Sequence, residues 1–199
     1  ETSAEIDGYT NKARLARMIN YVNGDGKTAL TLACQKGYVA MVQLLLGALL
    51  DIGKREALNH VNKEGNTALM LASGEGHLEV VRALLDAGAT VELKDARGYT
   101  ALMIAEMKNR TAAMELLHQR GADLDARNTQ GKTALTIAAS NGRVSNVELL
   151  LRLGAASLTD EYGLTPHDYA LHREHPECAA LLRDHAPDDA LKAAVKADD

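Results

Sequence analysis

The chain has 199 residues, 46% of them hydrophobic and 25% charged, which excludes a disordered or fibrous polypeptide and allows one or two packed domains. Phe and Trp are absent, so the core has to be built from Leu, Val, Ile, Met and Ala, a composition that favours packed helices. A net charge of −5 gives no global attraction to nucleic acid or anionic lipid, and two cysteines, Cys34 and Cys178, are too few for a secreted disulfide framework.

A reducing, intracellular setting is therefore the expectation, with the cytoplasm as the default. No apolar run has membrane-spanning length and no signal-peptide pattern occurs, so no membrane association is expected. The chain opens at Glu1 without an initiator Met, which reads as a monomeric fragment of a longer chain.

In chain order, the first 18 residues are expected to form a helix left from a truncated preceding repeat. The stretch from Ile19 to Gly26 (INYVNGDG) closely parallels that from Leu58 to Gly65 (LNHVNKEG), and Ala13, Leu15, Ala16 and Met18 would supply the apolar face. From Gly26 onward a motif of Gly, Thr, Ala and Leu appears, and it returns at Gly65, Gly98 and Gly131, with a degenerate form at Gly163 in which His167 takes the Leu position. The spacings are 39, 33, 33 and 32 residues, and a period of this size marks a repeat architecture. Each motif predicts a short helix opened by the hydroxyl of Thr28, Thr67, Thr100, Thr133 or Thr165. Eleven residues after each motif glycine stand Gly37, Gly76, Asn109, Gly142 and Glu174. Glycine or asparagine there permits the left-handed conformation that closes a helix.

A second helix then carries apolar residues three and four apart, as in Val42, Leu45 and Leu46, in Val81, Leu84 and Leu85, and in Val147, Leu150 and Leu151. One such hairpin cannot bury its own stripe, so neighbouring pairs must stack. The long first spacing places extra residues between Leu46 and Leu58, read as an extended second helix and a longer connection. At the far end Arg183 stands where other repeats carry Leu, which gives the polar face that a terminal cap needs. The tail after residue 186 is read as an extension, with one short helix through Leu191, Ala194 and Val195.

These phased landmarks, with Gly88 and Ala89, Gly121 and Ala122, and Gly154 and Ala155 closing each unit, resemble the ankyrin repeat over about residues 19 to 186. The resemblance implies an all-α solenoid of about five stacked helix-turn-helix units with projecting hairpin loops. One departure is that the His usual after the Leu of the motif is replaced by Thr31, Met70, Met103, Thr136 and Asp168. Its hydrogen bonds must be made in another way or not at all.

Other motifs yield to blander readings. Gly26, Lys27 and Thr28, and again Gly131, Lys132 and Thr133, mimic the end of a phosphate-binding loop, but the required earlier glycine is Tyr21 or Ala126, so no nucleotide or other cofactor site is expected. His172, His175 and Cys178 have metal-ligand spacing, yet Pro176 should start a new helix between them and leave Cys178 on a packed side. Asn109 matches a glycosylation acceptor, and without a secretory signal it is read as the turn residue between two helices. Catalysis needs converging groups, and a solenoid separates residues of distant repeats, so neither an enzyme nor a Cys34–Cys178 disulfide is expected.

The resemblance also implies binding through the concave side, where the hairpins and the first helices end. Carried over to this sequence, those positions include Lys27, Lys36, Lys63, Lys94, Arg97, Lys108, Arg127, Lys132 and Arg173, against Asp25, Glu64, Glu75 and Glu161. Basic residues thus predominate there on an acidic chain, which points to a protein or peptide partner with an acidic or phosphorylated segment. Tyr99, Met107, Tyr162 and Leu164 are apolar groups expected to face solvent as anchors. The expected partner-binding set is Lys63, Lys94, Arg97, Tyr99, Met107, Lys108, Arg127, Lys132, Tyr162 and Arg173, with Lys94, Arg97, Arg127 and Lys132 forming one basic strip. Nucleic-acid binding through the same positions is the alternative, disfavoured because no interleaved aromatic stacking surface accompanies the charge. A second alternative is a regulatory or targeting domain of a larger enzyme.

Overall fold

The computed structural model describes residues 16–19 and 21–185, and the chain divides into two compact units, residues 1–123 and 124–199. Among the described residues there are helices and turns and no strand. The first unit contains helices α1 (Ala29–Lys36), α2 (Val39–Asp51), α3 (Ala68–Glu75), α4 (Leu78–Asp86), α5 (Ala101–Met107) and α6 (Thr111–Gln119). The second contains α7 (Ala134–Ser140), α8 (Val144–Leu153), α9 (Pro166–His172) and α10 (Pro176–Asp184).

Each first helix starts where the motif threonine stands. The hydroxyls of Thr28, Thr67, Thr100, Thr133 and Thr165 accept the amide hydrogen of the residue three positions on, which satisfies one of the orphan donors of the first turn. The residues that replace the usual His complete several of these caps. Thr136 and Asp168 accept from the amides of Thr133 and Thr165 at 3.4 and 2.8 Å, and the sulfur of Met70 accepts weakly from Thr67 at 3.4 Å. Thr31 instead donates its hydroxyl to the Thr28 carbonyl at 2.8 Å.

The helices end as the landmarks predict. Gly37, Gly76, Asn109, Gly142 and Glu174 all have φ between 56° and 81°. Glu174 adopts the left-handed conformation without the freedom of glycine, at a cost of roughly 1–2 kcal/mol.

Within the first unit α1, α3 and α5 pack in one row and α2, α4 and α6 in another; within the second, α7 packs on α9 and α8 on α10. The stripes read from the sequence form the core except at Leu85 and Leu151, which are half-buried at the edge of their helices' packed sides. Val42, Val81, Leu84, Leu117, Val147 and Leu150 are fully buried, and each such side chain contributes about 1.5–3 kcal/mol relative to exposure. Leu49, buried on the last turn of α2, extends that stripe, so the longer second helix of the first repeat is packed rather than projecting. The rest of the inserted residues form a 3-10 turn, Arg55–Asn59, which buries Leu58.

The structure corrects one apolar assignment. Residues 16–19 are helical, but Met18 is 74% exposed, and the neighbouring Ile19 is the buried residue. A helix turns 100° per residue, so the two side chains point to different sides. Ala13 and Leu15, and the helix expected around Leu191, lie outside the described residues. At the far end Arg183 is exposed, as a cap requires, and His167 is half-buried where Leu30, Leu69, Leu102 and Leu135 are fully buried.

Candidate protein-interaction surface

The loops that carry the candidate residues are shaped by one side chain each. Asn23, Asn62, Asp95, Asn128 and Asp160 stand three residues before the motif glycines. Each accepts, through Oδ1, the amides two and four residues ahead, at 2.8 to 3.0 Å. A short polar side chain at this place does the work of a backbone turn. The acceptor carries no charge in three loops and a charge in two. This series is legible in the sequence as Asn or Asp three residues before each motif glycine.

Adjacent loops are joined by their backbones. The amide of Lys63 donates to the Asp25 carbonyl at 3.1 Å, that of Ala96 to Glu64 at 3.2 Å, and that of Glu161 to Gln130 at 3.4 Å. The approach is close at Gly65, with φ of +82°, where a Cβ would lie 2.6 Å from the Ala96 amide nitrogen. A second set of ties runs from the start of each second helix to the preceding repeat. His77 Nε2 lies 3.3 Å from the Gln35 carbonyl, Arg110 Nε donates to the Gly74 carbonyl at 3.2 Å, and the His175 ring sits against Gly142. His175 is thus engaged in packing between repeats, and Pro176 opens α10 at its first position.

In the first unit, Lys63, Lys94, Arg97 and Lys108 are exposed. Tyr99 and Met107, expected to face solvent, are half-buried. The reason at Tyr99 is visible: the Arg97 guanidinium stands 4.9 Å from the ring centroid, and its Nε lies 3.7 Å from the carboxylate of Asp95, the buried turn residue. Arg97 and Tyr99 are thus brought together, the ring shielded by the cation and the cation partly neutralised by Asp95. Beside them an open depression of about 420 Å³ is lined by Glu64, Asn66, Asp95, Ala96 and Arg97.

In the second unit, Arg127, Tyr162 and Arg173 are exposed, Tyr162 by 75%. Arg127 donates to the Thr159 carbonyl of the next loop at 2.8 Å. Lys132 and Leu164 are half-buried, so they too depart from the expectation of fully exposed groups. The Lys132 ammonium lies 4.5 Å from the ring centroid of Tyr169, whose hydroxyl donates to Asp160 Oδ2 at 2.6 Å. Tyr169 escaped the sequence reading because it replaces the aliphatic residue of the first helix, seen as Leu71, Ile104 and Ile137, and its role depends on two neighbouring loops. Burial pushes the Tyr169 phenol up to about 12, reinforced by its bond to Asp160. Burial would raise the Asp160 carboxyl, but the donors Tyr169, Leu164 and Tyr162, together with the Lys132 charge, hold it below its ordinary value.

The groups with reactive chemistry are placed differently. Cys34 and Cys178 are both buried and free of disulfides. Burial raises the Cys34 thiol to about 12, and burial, with the nearby Glu177 charge, also raises Cys178. A thiol held protonated is a poor nucleophile and a poor metal ligand. No helix among the described residues is long and apolar enough to cross a membrane.

Comparison with known families agrees with the repeat geometry. A family model described as ankyrin repeats in three copies matches residues 47–128 and 109–193, and one described as the ankyrin repeat matches residues 25–55. No curated protein matches the chain. With capped helix pairs, left-handed closures and loop-to-loop ties recurring in the same register as these matches, the chain belongs to the ankyrin-repeat family.

Proposed function

We propose that the chain is a non-catalytic recognition module that binds an acidic or phosphorylated segment of a protein partner through the basic residues of its loops. Ankyrin repeats are in general protein–protein interaction modules and typically non-catalytic. The finer reading rests on one observation: exposed or half-buried cations recur on the loop side, and two of them stand against aromatic rings, Arg97 on Tyr99 and Lys132 on Tyr169. A cation ordered over a ring loses little conformational freedom when it meets a carboxylate or phosphate, and the contact is worth roughly 0.5–1 kcal/mol at exposed sites. Lys63, Lys94, Lys108, Arg127 and Arg173 add charge that attracts such a segment from a distance. Met107 and Tyr162 supply apolar area for its hydrophobic residues.

A peptide array tests this reading, carrying acidic, phosphoserine-containing, neutral and basic sequences beside single-stranded DNA and RNA. The expected result is capture of acidic or phosphorylated peptides, weakened in 0.5 M salt. Capture independent of peptide charge, or a preference for the nucleic acids, contradicts it.

A further inference from the structure

The first repeat leaves bare a face that its successors bury. Met41, 51% exposed on α2, corresponds to Val80 and Ala113 in the next two repeats, both fully buried. Leu44, 69% exposed, corresponds to the half-buried Ala83 and the buried Leu116. Beside them on α1, Ala29 and Leu32 are exposed where Ala68 is fully buried and Leu71 half-buried. The later positions are covered because α3 packs on α1, α4 on α2 and α6 on α4.

The bare stripe runs along one side of α2 as Met41, Leu44 and Ala48, three and four residues apart, and it meets no charge until Asp51 ends the helix. At the opposite end stand Lys36, the last residue of α1, and Tyr38, the residue that precedes α2, both exposed. The stripe therefore has a cation and a hydroxyl donor at one end, a carboxylate at the other and apolar side chains between. Such a pattern is complementary to itself when turned end for end. Tyr21, Leu32, Tyr38, Met41 and Leu44 together leave roughly 600 Å² open, so two copies would bury about 1,200 Å², the size at which specific interfaces begin.

We propose that this face pairs with the same face of a second copy, α2 lying antiparallel on α2 about a two-fold axis at Leu44, so that the chain dimerises where its sequence suggested a monomer. Each contact is then made twice, as a two-fold interface requires. Leu44 meets its own counterpart, the long Met41 lies over the partner's small Ala48, and Lys36 and Tyr38 face the partner's Asp51. The opposed charges fix the direction of the pair, and the apolar centre supplies its affinity.

The test uses the whole chain in sedimentation velocity from micromolar to millimolar concentration. A dimer is expected for the parent, and a monomer of unchanged helical content for Leu44→Glu, which alters an exposed position. A dimer that survives Leu44→Glu, or a parent that stays monomeric throughout, overturns the proposal. In a monomeric parent, slow alkylation of Leu44→Cys would assign the face to another part of its own chain. Cross-linking reads the register, because Cys34 and Cys178 are buried. Under mild oxidation Leu44→Cys should form a covalent dimer and Met41→Cys should not. The two copies of residue 41 would stand about 9 Å apart along the pair at ~1.5 Å per residue, beyond the ~7 Å that a disulfide spans. Equal cross-linking of the two variants, or none with Leu44→Cys, overturns the antiparallel pair.

Discussion

Asp160 shows how much one turn side chain does. It receives the amides of Tyr162 and Leu164 and the hydroxyl of Tyr169 while lying near Lys132. Because its carboxyl titrates below its unfolded value, the stability it gives is present above the unfolded pKa of about 3.9 and is lost as pH falls through the lower folded value. Asp160→Asn keeps an oxygen for the two amides, as Asn128 does in the preceding loop, but carries no charge. The variant should therefore lose less stability between pH 4 and pH 2 than the parent, measured by urea unfolding across that range. An unchanged pH slope would contradict the role given to the carboxylate. The cysteines make a simpler residue-scale prediction: with both thiols buried and raised, native protein should resist iodoacetamide at pH 8 and react on unfolding. An intramolecular disulfide found by mass spectrometry after oxidation would contradict their placement.

At the scale of elements, the motif threonines, the left-handed closures and most of the apolar stripes were readable, because each is a local rule acting within a few residues. Leu84 was assigned to the packed side from spacing alone, and both it and Leu117, its counterpart one repeat later, are fully buried. Truncating either to Ala should cost roughly 2–5 kcal/mol in denaturant unfolding, and a loss below about 0.5 kcal/mol at both would contradict the register. What the sequence did not disclose lies between elements. Met18 was put on the wrong side of its helix because Leu15, Ala16, Met18 and Ile19 admit more than one apolar arc. The ties from His77 and Arg110 to preceding carbonyls join residues 42 and 36 positions apart, so no local pattern announces them. Gly65 belongs to this class too: its Cβ space is taken by the backbone of the next loop. Gly65→Ala should therefore destabilise more than Gly163→Ala, which has a similar φ and nothing within 4 Å, and thermal unfolding of the pair tests it.

For the whole molecule, the proposed preference for an acidic partner has to be reconciled with a net charge of −5. On the proposed reading the selection lies in the loops, where the cations recur repeat by repeat, while much of the acidic charge lies elsewhere along the chain. Charge and register suffice to name the cations, which the structure leaves exposed or half-buried. They did not disclose that Arg97 stands over Tyr99, a residue already named, or that Tyr169 lies beside Lys132, and they overstated the exposure of Tyr99, Met107 and Leu164, because those features depend on which groups lie beside them. Tyr99→Ala should speed dissociation of an acidic peptide by the equivalent of roughly 1–3 kcal/mol if the ring is an anchor. The most direct test of the central claim is the association rate of an array-selected acidic peptide, followed by stopped flow from low to high salt for the parent and for the Arg97→Glu, Arg127→Glu double variant. Fast association that falls steeply with salt is expected for the parent, and slower association with a flattened salt dependence for the variant, at unchanged helical content. Equal rates and equal salt slopes for the two proteins would contradict that claim.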